Sequence, residues 1–198
     1  MAGQLQWDAG SWLNEPASRV DDVGHLHVTA EQGSDFWQVT SYGFRRDSGH
    51  ALLYPLAQDE AVEVTFIADF PQLYDQAGAL LRVDETTWIK AGIEHTDGVP
   101  HLSAVVTHGS SDWSTFPVPD WNGREVTIRM SRTGDAVTVR GRVEAEPWVM
   151  IRLAFLDAAA VTTAGPFCAA PERPGLTVRF TVARLGSADA GLHEPPSD

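Results

Sequence analysis

The chain has 198 residues, enough for one domain with a substantial core. Its 27 acidic side chains against 14 basic ones leave a formal charge of −13, a field that repels phosphate backbones and anionic lipid and argues against nucleic-acid or membrane-surface binding. Cys168 is the single cysteine, which excludes an intrachain disulfide and a thiolate zinc site and suits a reducing compartment.

Residues 1–8 show neither a basic leader segment nor an apolar one, and no apolar run approaches the ~20 residues that span a bilayer. A cytoplasmic protein is expected. Seventeen Gly and twelve Pro punctuate the chain, with β-branched and aromatic residues between them. Short strands of even spacing, packed as a sandwich, are the expected outcome. Residues 24–29, 35–40, 52–56 and 62–69 are the early strands.

Between residues 62 and 114 the alternation becomes regular. Ile89, Ala91 and Ile93 alternate with Trp88, Lys90, Gly92 and Glu94, the period of a strand with different surroundings on its two sides. Asp97 and Gly98 form the preferred centre of a two-residue hairpin. That centre pairs Glu94 with His101, Gly92 with Ser103, Lys90 with Val105 and Trp88 with Thr107. Apolar Ile93, Ala91 and Ile89 then meet Leu102, Ala104 and Val106, as register requires when one face is buried. The preceding strand buries Ala79, Leu81 and Val83 if its loop around residues 85–87 holds an odd number of residues. In that register Arg82 falls beside Lys90 and Asp84 beside Trp88.

Later strands are expected at 125–132 and 135–143, turning at Thr133 and Gly134 so that Met130 faces Val137 and Ile128 faces Val139. Residues 148–156 alternate Val149, Ile151, Leu153 and Phe155 (inward) with Met150, Arg152 and Ala154. Residues 177–184 place Val178, Phe180 and Val182 inward. Arg129, Arg140, Arg142, Arg152 and Arg179 read as a solvated outer surface, with entry into the site as the alternative for Arg152. Residues 1–185 form a single β-sandwich domain, and 186–198, small and polar, form a disordered C-terminal tail.

No phosphate-binding glycine loop, nucleophile elbow or calcium loop occurs in the sequence. His25 and His27 share a strand face and would suit a metal only with a third ligand such as His50, His101 or His108; otherwise they flank the core residue Leu26. No metal and no cofactor are expected. Glycoside hydrolysis needs two carboxyls held ~5 Å apart for retention and farther for inversion. Glu94, Asp84 and Asp75 are the carboxyls on the surface described. Glu94 and Asp97 do not face each other, and Glu144 and Glu146 read as exposed loop residues before Pro147. Glu94 is therefore either a proton-transfer group or the partner of Lys90 or Arg82 in a half-buried ion pair. Tyr74, Asp75 and Gln76 are suited to hydrogen bonding, and Asp75 equally to capping a turn. Among Trp37, Trp88, Trp113 and Trp148, Trp88 is the one expected to face a pocket.

Several segments also resemble a known family: Ser34 to Trp37, Ser41 to Phe44, Asp47 to His50, Leu73 to Gly78, Trp88 to Glu94, Leu102 to Thr107 and Ser111 to Ser114. In this order they are similar to the bacterial and fungal domain-of-unknown-function 1349 family, over roughly residues 7–184. The resemblance implies an all-β, concanavalin A-like jelly-roll sandwich of two antiparallel sheets, the architecture of legume lectins and many glucanases. Some fungal relatives are described as regulators of enolase. The family brings no established catalytic residues, and residues 92–96 depart from the Glu-x-Asp-x-Glu strand common in the superfamily's glucanases.

The expected binding surface combines Trp37, His50, Tyr74, Asp75, Gln76, Arg82, Trp88, Lys90, Glu94, Ser103, Thr107, Asp112 and Trp113. Three functions fit it: binding a carbohydrate or another small polar metabolite, acting as an enzyme on a sugar or sugar acid with Glu94 or Asp75 as acid or base, and regulating a metabolic enzyme through a protein–protein contact.

Overall fold

The computed structural model describes residues 3–194 and residue 196. Two antiparallel sheets pack face to face, the expected all-β sandwich. One sheet runs Val149–Phe155, Ala136–Val143, Glu125–Thr133, Glu60–Ile67, Thr177–Ser187, Leu26–Thr29 and Ala17–Val20, with Gly3–Gln4 added to Thr177–Ser187. The other runs Ser111–Pro117, Val99–His108, Thr87–Thr96, Gln76–Arg82, Thr162–Ala169, His50–Leu56 and Ser11–Leu13. We call the latter the site sheet. No helix among the described residues is long and apolar enough to cross a membrane.

The alternation of Thr87–Thr96 sorts its side chains as physics requires. Ile89, Ala91 and Ile93 enter the main core with Leu102, Ala104 and Val106, facing Val64, Ile128 and Met130 of the other sheet. The hairpin pairs Glu94 with His101, Gly92 with Ser103, Lys90 with Val105 and Trp88 with Thr107. Its register is fixed by Asp97 and Gly98, both at positive φ (50° and 79°) as a two-residue turn demands.

Two registers differ by two residues from expectation while keeping the same parity. Arg82 pairs with Trp88, and Leu80 with Lys90, because Asp84 caps the turn itself: its Oδ1 accepts from the Thr86 backbone N–H at 2.8 Å. Met130 pairs with Val139 and Ile128 with Gly141, because Gly134, at φ 58°, takes the first position of a Gly134–Asp135 turn.

Strand Val149–Phe155 departs more sharply. Ala154 is its buried residue, and Val149, Leu153 and Phe155 are exposed on an edge strand. Strand Thr162–Ala169 is an element the alternation did not reveal. It is central although Gly165 and Pro166 are residue types disfavoured in strands, and a Cβ on Gly165 would meet Leu52 O at 2.0 Å. Small residues here permit close backbone approach.

Arg129 and Arg140 are not solvated. Both are buried and converge on Asp189, with Arg129 Nε donating to Oδ1 at 2.8 Å and Arg140 Nε to Oδ2 at 3.0 Å. Gly186 and Ser187 continue the last strand, pairing with Ala61 and Glu60. The segment expected to be a disordered tail thus begins inside a sheet; its residues 195, 197 and 198 lie outside the described residues.

A separate hairpin, Phe36–Gln38 with Arg45–Asp47, lies across the outer face of the site sheet. Phe36 and Trp37 pack there with Ala51, Leu80, Trp88, Val105 and Phe167 as a second apolar cluster.

Candidate functional site

This cover hairpin divides the outer face of the site sheet in two. Over Trp88 it closes the surface into a core. Beyond it, toward Lys90 and Glu94, a cavity of about 260 Å³ remains. Arg82 anchors the hairpin by a bidentate pair to Asp47, at 2.6 and 2.8 Å. Ser111 Oγ accepts from the Gln38 backbone N–H at 2.9 Å, which tethers the other strand.

The hairpin turn is strained. Val39 has φ 62° and Ser41 φ 64°, and a β-branched residue in that region costs on the order of 1–3 kcal/mol. Hydrogen bonds hold it there: Val39 N–H donates to Phe44 O at 2.8 Å, and Trp37 Nε1–H to Thr40 O at 2.9 Å. The result presents Tyr42 and Phe44, stacked 5.4 Å apart, at the cavity wall beside Trp37. Trp37 in turn meets Trp113 edge to face at 6.4 Å. Tyr74 lines another side, fixed at φ 60° by its N–H donating to His95 O at 2.7 Å. The Tyr42 hydroxyl beside it, together with burial, raises the Tyr74 phenol above its ordinary range.

The floor is polar and enclosed. Lys90, 4% exposed, donates from Nζ to Gln76 Oε1 at 2.7 Å and to Asp35 Oδ1 at 3.3 Å. Gln76 Nε2 also reaches Asp35 Oδ1 at 3.3 Å. Glu94, 7% exposed, accepts only a long hydrogen bond from Ser103 Oγ at 3.5 Å among the described residues. Burial pushes the Glu94 carboxyl up to about 7; Lys90 and Ser103 oppose this, and Asp35 adds to it. Adjacent Gly92 and Gly78 keep the floor between these groups low, since a Cβ on Gly92 would meet Ala77 O at 2.0 Å.

Of the expected binding residues, the cavity is lined by Trp37, Tyr74, Gln76, Lys90, Glu94 and Trp113. The others have different work. Trp88 does not face a pocket: it is fully buried under Phe36, whose ring lies 6.0 Å away. The expected row of indole, amine and acid is thus split by the cover hairpin. His50 is a buried structural residue, its Nε2 accepting from Glu31 N–H at 3.0 Å and its Nδ1 contacting Asn14 O. Asp75 is wholly buried and held by Arg173, with Nη2 to Oδ2 at 2.6 Å, so it is unsuited to acid–base work. Arg82 serves Asp47. Thr107 meets Ser111 at 2.9 Å behind the hairpin. Ser103 contributes through Glu94. Asp112 is exposed and pairs with Arg152 at 2.9 Å, so Arg152 does not enter the cavity.

Asp35, Tyr42, Phe44, Pro171 and Glu172 line the cavity without having been anticipated. The first three stand in the Ser34–Trp37 and Ser41–Phe44 segments that carry the family resemblance, which was the available signal. Pro171 and Glu172 follow a strand that small residues had disguised. Arg173 Nε, within 3.0 Å of Asp75, ties that rim down. Among the described residues no group of three or more His, Cys, Asp or Glu is placed to hold a metal. His27 instead meets Asp21 at 2.9 Å, which lowers the Asp21 carboxyl to about 2.

The sequence pattern of the family described as "Protein of unknown function (DUF1349)" matches residues 12–188. A Saccharomyces cerevisiae protein named "Regulation of enolase protein 1" is 37% identical over 189 residues, which cover 93% of each chain. The crystal structure of a functionally unknown protein from Saccharomyces cerevisiae superposes with a TM-score of 0.86 at 35% identity, covering 92% of this chain and 98% of that one. A Bacteroides ovatus structure described as "Xyloglucan PUL GH43B" gives a TM-score of 0.71 at 13% identity, with 93% of this chain matching 39% of that one. At that identity the likeness concerns the fold alone.

Proposed function

The chain belongs to the DUF1349 family, and from that premise we propose that it binds a carbohydrate in the cavity between the cover hairpin and the site sheet. The observation that carries this reading is the pairing of surfaces. Gln76, Lys90 and Glu94 form a floor of buried polar groups, and aromatic rings from Trp37, Tyr42, Phe44, Tyr74 and Trp113 form the walls. A sugar ring has the same division, with hydroxyls at its rim and C–H faces that stack on aromatics. The volume of about 260 Å³ is below the ~300–1,000 Å³ of drug-sized pockets, which favours one sugar ring over a long glycan. Calorimetry with neutral sugars, amino sugars and sugar acids tests it, alongside Trp37→Ala. Binding by at least one class, lost in the variant, is expected. Absence of heat from every class overturns the reading.

The name of the yeast relative supports a second reading, in which this chain regulates a metabolic enzyme by contact, in a cytoplasmic setting. A pull-down at low salt that returns a glycolytic enzyme would favour it, and one that returns no such partner would count against it. Catalysis rests on Glu94 alone, since Arg173 occupies Asp75. Full turnover by Glu94→Gln in a substrate screen would remove that option.

A further inference from the structure

The charge of the cavity says more than its shape, and the step taken here rests on the carbohydrate reading. Three carboxylates, Asp35, Glu94 and Glu172, line it against one cation, Lys90. That cation is already engaged by Gln76 and Asp35. Glu94 is more than nine-tenths buried, yet its single partner among the described residues is a hydroxyl at 3.5 Å. It is an acceptor in an enclosed site with room for a donor that the described residues do not supply. Aromatic rings surround the same space, and their faces attract cations as well as C–H groups. A sugar acid would add a fourth carboxylate here, and a neutral sugar would leave Glu94 without a charged partner.

We propose that the cavity selects an amino sugar, a saccharide whose protonated amine donates to the Glu94 carboxylate while the aromatic walls hold the ring. Recognition is then a charge-assisted hydrogen bond to a buried group, the kind that discriminates strongly between otherwise similar ligands. It also couples binding to protons. The amine needs Glu94 ionised, and a carboxyl at about 7 is about half ionised at pH 7 and about one-tenth at pH 6, so affinity falls about fivefold between them. The charged or titratable groups facing Glu94 are Lys90 on its own strand, His101 opposite it, Asp35 and Tyr42 from the cover hairpin, Tyr74 and Glu172.

The test is calorimetry at pH 7 with 2-amino-2-deoxyglucose, its N-acetyl form, glucose and glucuronic acid. The expected result is that the amine binds about tenfold tighter than the other three, with about half a proton released at pH 7, read from the change of binding heat with buffer ionisation heat. Glu94→Gln should bring the amine down to the level of glucose and flatten its pH dependence. If glucose, the N-acetyl sugar or the acid binds as well as the amine, the inference fails while carbohydrate binding stands. If the pH dependence survives in Glu94→Gln, a group other than Glu94 is titrating, and the inference fails again. If cyclohexylamine binds as tightly as the amino sugar and no uncharged sugar binds, cation recognition stands and the carbohydrate reading fails. If none of these compounds binds, both fail.

Discussion

Replacing Glu94 by Gln should stabilise the protein at neutral pH and leave it unchanged in acid. The wild-type carboxyl sits at about 7 in the folded chain against an ordinary 4.5, with burial the largest cause. Between those values the folded state binds more protons than the unfolded one, so stability falls as pH rises through the interval. At about 1.4 kcal/mol for each tenfold change in proton affinity, the full penalty is about 3.5 kcal/mol well above pH 7, of which about 3 kcal/mol is present at pH 7. It is about 1 kcal/mol at pH 5 and about 2 kcal/mol at pH 6. The neutral amide of the variant carries no such penalty and keeps the shape. Urea denaturation of both proteins at pH 5, 6, 7 and 8 should therefore give a stability difference that widens from pH 5 to pH 7 and levels off by pH 8, with the variant the more stable. A variant less stable than wild type at pH 8, or a difference that ignores pH, would show that Lys90 compensates the charge in full and that the ascribed desolvation is wrong. The same substitution is expected to remove the preference for an amine, which makes Glu94 a residue held for binding at a cost to the fold.

Three other substitutions probe different parts of the structure. Trp88→Ala should lose about 3–5 kcal/mol of stability by urea denaturation, as for other fully buried aromatics; a loss under about 1 kcal/mol would contradict its place beneath Phe36. Lys90→Met should cost about 3 kcal/mol by leaving Asp35 and Gln76 without their cation. It should also raise the Glu94 titration midpoint in a carboxyl NMR experiment, since Lys90 is the main force holding that carboxyl down. Asp75→Asn should cost about 3 kcal/mol by stranding Arg173 and should weaken saccharide binding, because Pro171 and Glu172 precede that anchor in the rim.

Much of the fold could be read from alternation and turn chemistry. Asp97 and Gly98 specify one hairpin register residue by residue, because only one pairing lays Ile89, Ala91 and Ile93 on apolar partners. The turns at Asp84 and Gly134 admit neighbouring registers of equal parity, and there local capping decides what the pattern leaves open. Strand Val149–Phe155 misleads for another reason: it is an edge, so Val149, Leu153 and Phe155 remain outside while Ala154 and, in part, Ile151 pack against the core. The cavity was legible in half. Lys90 and Glu94 follow from strand parity, and Gln76 from its hydrogen-bonding capacity. Trp88 shares that parity but not that environment, since a hairpin some fifty residues earlier in the chain covers it. Contacts between segments distant in sequence leave no trace in local periodicity, which is why Asp35, Tyr42 and Phe44 emerge only with the fold.

The convergence of Arg129 and Arg140 on Asp189 bears on how this domain can be trimmed. A chain cut at Leu185, where the alternation fades, would leave two guanidinium groups in the sheet without their shared counter-ion and would lose the Ser187 carbonyl that accepts from Arg129 at 2.7 Å. Fragments for expression or fusion should therefore retain Asp189, and Leu192 as well, whose carbonyl receives Arg140 at 2.6 Å. Residues 187–192 act as a clasp on the sandwich.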